Sequence, residues 1–175
     1  MTAALDGQVP PQVVFSWRER LGLAHLPQVV ELPAPPLGIR SLRQGAQAWP
    51  LQRLHQRPDT AVAFLTDGIA ADETIAADGG AKETRGPVST VIDGGAVVLD
   101  NGRFAVRLRL GAGESTHPDG IHPGPLLGVR VGESAWHGRS HLDTRSNRCL
   151  WRGELLEDGT VRAVYRFLSL IHISE

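Results

Sequence analysis

Arg103-Phe-Ala-Val-Arg-Leu-Arg-Leu110 is the stretch that decides how this chain folds. Phe104, Val106, Leu108 and Leu110 occupy every second position, and Arg103, Arg107 and Arg109 stand between them. A period of two places the apolar set on one face of a β-strand. The pattern predicts one buried face and one wet face, as in antiparallel sheet. A slip of one residue would bury the arginines, so the register is specified.

Thr160-Val-Arg-Ala-Val-Tyr-Arg-Phe167 repeats the design, with Val161, Ala163, Tyr165 and Phe167 expected inward. Turn residues separate the runs: Asp93-Gly94-Gly95, Asp100-Asn101-Gly102 and Asp158-Gly159. Such groups supply the positive φ angles of tight hairpins. Residues 88–110 therefore predict a three-stranded meander and residues 150–167 a hairpin.

The first half reads as weaker β, with strands expected at Gln12–Trp17, Gln28–Leu32, Gly38–Arg43, Trp49–His55 and Thr60–Leu65. Pro50 lacks an N–H and is expected at a sheet edge or a bulge. Arg18–Leu26 alone hints at a helical turn, which Gly22 weakens. Asp78-Gly-Gly-Ala-Lys-Glu-Thr-Arg-Gly-Pro87 is polar and Gly-rich, as linkers are. The expected fold class is all-β: a small β-barrel or sandwich over residues 9–77, a linker or loop over 78–87, and an antiparallel β-sandwich over 88–167.

Composition narrows the function classes. The chain has 175 residues, 18 basic and 19 acidic groups, and a formal charge of −1. A near-neutral balance offers no electrostatic case for nucleic acid or membrane as partner. Lys82 is the sole lysine beside the arginines, a bias that fits a GC-rich bacterial coding sequence. Cys149 is alone, in an apolar context that predicts a buried, inert thiol. No apolar run reaches the roughly 20 residues of a membrane-spanning helix. No basic, apolar leader opens the chain, so the default expectation for its location is the cytoplasm.

Reactive side chains gather in residues 111–143. Glu114, His117, Asp119 and His122 come first, then Glu133, Trp136, His137, Arg139, His141 and Asp143. His137 and His141 are four apart, but Gly138 between them argues against a helical ligand pair, and no metal template fits. Neither a metal nor any other cofactor is expected. Glycosidases need two carboxylates placed across a bond. Four acids are available here, and nothing in their spacing selects a pair. Trp136 with His137, Arg139 and Asp143 is the candidate binding set: an aromatic face stacks on a pyranose while polar neighbours take its hydroxyls. The competing reading makes Trp136 part of the core, as Trp17 and Trp151 are expected to be. The expected partner is a polysaccharide or oligosaccharide.

Leu37-Gly-Ile-Arg-Ser-Leu-Arg-Gln-Gly-Ala-Gln-Ala-Trp-Pro-Leu-Gln52, then Thr60–Ile69, Val97-Val-Leu-Asp-Asn-Gly-Arg-Phe-Ala-Val106 and Gly153–Phe167, follow a familiar order. That order resembles the N-terminal β region of large bacterial carbohydrate-active proteins, the exo-rhamnogalacturonan lyase-like (YetA-like) proteins. The resemblance implies a small β-barrel, then a larger sandwich, then a helical domain carrying much of the active site. It places no catalytic residue on this sequence. Residues 168–175, Leu-Ser-Leu-Ile-His-Ile-Ser-Glu, resemble a translated sequencing adaptor. They are expected to be a non-native tail, with the sandwich truncated near Phe167 and a C-terminal domain of the same chain as its missing partner. The functional expectation is a non-catalytic β fragment of a polysaccharide lyase or glycoside hydrolase. The alternative is a carbohydrate-binding or structural module with no enzymatic role.

Overall fold

The computed structural model describes residues 13–18, 21–68, 70–71, 74–80 and 82–171. Among them the chain is all-β, with no α-helix and no segment suited to cross a membrane as one. It divides into two compact units, residues 1–86 and 87–175. The helical hint at Arg18–Leu26 is corrected over Leu21–Leu26, which forms bends and a single bridge. Gly22 has φ 67, a left-handed conformation that breaks a helix.

The first unit contains β1 (Val13–Arg18), β2 (Gln28–Pro33), β3 (Ser41–Gln44), β4 (Gln47–Arg53), β5 (Thr60–Leu65) and β6 (Thr74–Gly80). They form one open antiparallel sheet in the order β1-β6-β3-β4-β5-β2, not a closed barrel. Gly45, at φ 59, opens the two-residue turn that joins β3 to β4. Phe15, Leu32, Leu42, Trp49, Ala61, Ala63 and Leu65 make the core. Trp17's side chain lies outside the described residues.

Two expectations change here. Pro50 sits on an interior strand rather than an edge. β4 pairs with β3 through Pro50 and with β5 from Leu51 onward, so the proline stands where the strand changes partner. The second change concerns Asp78–Gly80, expected as linker, which is the end of β6 and pairs with Ser41–Arg43. Gly79 lies against Ile39, and Gly80 against Ser41 and Arg43, leaving no room for a Cβ at either. These glycines permit close packing of strands.

The second unit contains β7 (Ser89–Asp93), β8 (Ala96–Asp100), β9 (Phe104–Arg109), β10 (Gly111–Thr116), β11 (Ile121–Pro123), β12 (Leu126–Val131), β13 (His141–Asp143), β14 (Arg148–Glu157) and β15 (Val164–Ile171). The expected meander is present as β7-β8-β9, and β12 extends it to the order β12-β9-β8-β7. Asn101 caps its second turn, Oδ1 accepting the N–H groups of Arg103 and Phe104 at 3.1 and 2.8 Å. β10, β14 and β15 form a three-stranded sheet, and β11 and β13 a short ribbon. Leu168–Ile171 pair with Arg152–Cys149, so this part of the suspected tail continues β15. Residues 172–175 lie outside the described residues.

The in-and-out pattern expected for β9 is also corrected. Ala105, on the arginine face, is buried, whereas Phe104 is 45% exposed. Both faces are partly buried. Arg109 lies 4.8 Å from the Trp151 ring centroid, so its stem is packed, while Arg107 pairs with Asp93 at 3.1 Å on the surface. Trp151 is half-buried between Arg109 and a stacked Phe167 rather than in a closed core. The unit's fully buried apolar residues are small: Ala96, Val97, Ala105, Cys149 and Val161. Burial pushes the Cys149 thiol pKa up, as an inert thiol requires.

Candidate functional site

The segment 111–143 is built mostly of strands, and their alternation sorts its reactive side chains. In the β11–β13 ribbon Ile121 faces Asp143, His122 faces Leu142 and Pro123 faces His141. His122 and Leu142 therefore share the inner side, while His141 and Asp143 stand on the outer one. His122 is fully buried, and His117, His137, His141 and Asp143 are exposed. Only His117 and His122 meet, edge to face at 5.6 Å. Among the described residues no three His, Cys, Asp or Glu side chains converge on a point that could hold a metal ion.

Two of the four candidate acids have structural partners, and Glu133 and Asp143 are exposed. Glu114 pairs with Arg148 at 2.6 Å across the β10–β14 ladder, and Asp119 accepts the Ile121 N–H at 3.0 Å in a local turn. The Glu114 carboxylate in turn raises the Arg148 pKa, through their hydrogen bond first and their charge attraction second.

Trp136 occupies a defined place. Gly132, at φ 55, turns the chain after β12, and residues 132–136 fold back along it. Val129 and His137 exchange both backbone hydrogen bonds at 2.8 Å, which locks the return. The indole comes to rest over Gly128, where a Cβ would lie 3.2 Å from Trp136 Cε3. The Arg130 guanidinium sits 5.0 Å from the ring centroid and is held by Asp100 at 2.7 Å. A cation–π contact of this kind contributes about 0.5–1 kcal/mol. Trp136 remains 37% exposed, so it is neither core nor free.

Of the four candidate binding residues, His137 and Arg139 follow Trp136 on the surface and are themselves exposed. Asp143 belongs to the outer face of the β11–β13 ribbon. No hydrogen bond or ion pair joins the four side chains. Sequence reasoning missed Arg130 and Asp100, which position the indole. Their signal was faint, since the two residues are thirty apart and come together only through β8, β9 and β12. Compared with protein-family models, with curated proteins and with solved structures, the chain matches none.

Proposed function

We propose that this chain is the β region of a larger carbohydrate-active enzyme, and that its Trp136 surface contacts the saccharide without cleaving glycosidic bonds. The observation that carries the reading is the posture of Trp136. Its indole is fixed by Arg130 and Gly128, and part of it is open to solvent. An aromatic platform held in place before binding costs little ordering entropy when a sugar ring stacks on it. Two of the four acids of the same segment, Glu114 and Asp119, are committed to Arg148 and to a turn, which leaves fewer carboxylates for paired acid–base chemistry. Phe104 and Val131 pair on one sheet face and are 45% and 68% exposed. They offer an apolar area that a further domain of the same chain would cover.

The test is retention on insoluble polysaccharides, pectic rhamnogalacturonan among them, by the intact chain and by Trp136→Ala. The expected result is at least a tenfold loss of affinity, roughly 1.4 kcal/mol, with the melting temperature of the variant close to that of the parent. Equal retention of the two proteins, or no retention of the parent on any polysaccharide, would overturn the proposal.

A further inference from the structure

His122 is fully buried, yet both its nitrogens are engaged in a directional way. Nε2 lies 2.8 Å from the Ser146 carbonyl oxygen, and Nδ1 lies 2.8 Å from Ser115 Oγ. A carbonyl oxygen can only accept, so Nε2 carries the proton of the neutral ring. Nδ1 is then an acceptor, and the Ser115 hydroxyl donates to it. The result is a hydroxyl on a base, with the base oriented by a third group. The third group is a main-chain carbonyl in place of a carboxylate.

The carbonyl is itself held. The Thr144 hydroxyl lies 3.1 Å from it, and the Ser146 N–H lies 3.3 Å from the Thr144 oxygen. Between them Arg145 adopts φ 56, the one non-glycine residue with positive φ among those described. Strained backbone of this kind persists where surrounding structure demands it, and it concentrates at functional sites. Ser115 is half-buried on β10, an edge strand of its sheet. The His117 N–H bonds the Asn147 carbonyl at 2.9 Å and continues the β10–β14 register. By the alternation of an antiparallel ladder, the intervening Thr116 N–H points to the open edge. It directly follows Ser115 in sequence and is a backbone donor available to a developing oxyanion.

We infer that Ser115 is a nucleophile activated by His122, acting on carboxylic esters. Ser115 Oγ attacks the ester carbonyl carbon as its proton passes to His122 Nδ1. The tetrahedral adduct expels the alcohol, which leaves with that proton, and an acyl-serine remains. Water attacks the acyl carbon, its proton goes to Nδ1, and Ser115 Oγ departs and recovers it. The products are one carboxylic acid and one alcohol, and no other reactant is needed. The chemistry is independent of saccharide binding at Trp136.

The experiment treats the full chain with a fluorophosphonate and maps the adduct by mass spectrometry, with p-nitrophenyl acetate as a turnover substrate. The expected adduct is on Ser115, forms in the folded protein, and is absent from Ser115→Ala and from urea-unfolded parent. Removing the base by His122→Gln should slow labelling by about 100-fold or more, the usual scale of general-base assistance. The comparison of folded with unfolded parent stands even where that variant does not fold. A folded parent that takes no label at Ser115, or takes it no faster than the unfolded chain, overturns the inference and leaves the pair as a pin between β10 and β11.

Discussion

Gly153→Ala tests the packing that holds the second unit together. Gly153 is buried in the middle of β14, paired with Gly111 on one side and Phe167 on the other. A Cβ built there overlaps the Arg109 carbonyl oxygen and the Tyr165 hydroxyl. The first of these is backbone and cannot swing aside. The Tyr165 hydroxyl donates to that same carbonyl at 2.5 Å, so the methyl group enters a closed contact. Losing this hydrogen bond costs about 1 kcal/mol, and more where the carbonyl is left unsatisfied. Forcing an extra carbon into close packing adds roughly 1–3 kcal/mol. The sum is about 2–4 kcal/mol, which for a unit of this size corresponds to a fall in melting temperature on the order of 10–25 °C. The assay is thermal and urea unfolding of the parent, Gly153→Ala, Tyr165→Phe and their combination. Tyr165→Phe alone should cost about 1 kcal/mol. The double variant should be less damaged than the two singles added together, because phenylalanine removes one of the two atoms in the methyl group's way. Gly95→Ala is the control, since its Cβ would meet nothing nearer than the Leu110 carbonyl at 3.9 Å. A Gly153→Ala protein within about 1 kcal/mol of the control would refute this account of the packing.

Two further outcomes follow from single residues. Burial raises the pKa of Tyr165, outweighing the opposing pull of the Arg109 charge. A raised folded-state pKa means that the associated stability is intact below the unfolded value near 10 and is lost as the pH climbs through the folded value. Melting temperatures measured from pH 8 to 11.5 should therefore fall more steeply for the parent than for Tyr165→Phe, and parallel curves would contradict this. Arg145→Gly should remove the strain of a left-handed arginine, partly offset by the greater freedom of glycine in the unfolded chain. The net expectation is a gain of about 0.5–1 kcal/mol in urea unfolding, and a loss of stability would show that φ 56 is relaxed at this position.

What the sequence displayed, it displayed through side-chain alternation. β5, β7, β8 and β9 were legible because apolar residues recur along them between recognisable turns. β10 was not, because Gly-Ala-Gly-Glu-Ser-Thr has no large apolar residue to alternate. The structure supplies the reason. A Cβ at Gly113 would press on the Trp151 indole, so the apolar mass of that sheet face comes from β14 and glycine makes space for it. The same logic hid the end of β6, where Gly79 and Gly80 admit Ile39, Ser41 and Arg43. Where one strand carries the bulk, its neighbour reads as a loop.

The histidines show the same limit at the level of a site. Their density in sequence brought them to notice although their spacing fitted no ligand template, and the pairing of β11 with β13 divides them. His122 goes inward beside Leu142, and His141 goes outward opposite Pro123. The partner that gives His122 its chemical character is Ser115, seven residues back on a different strand, and the atom that fixes its tautomer is a main-chain oxygen at Ser146. A backbone carbonyl leaves no trace in residue type. Trp136 was nominated by its ring among polar neighbours, with a core reading left open beside it, yet its stability as a platform comes from Arg130 and Asp100, of which the first was not singled out and the second was read only as a turn residue. Residue types in a segment nominate candidates. The strand register decides which of them share a face, and at both Trp136 and His122 the deciding neighbours come from other strands.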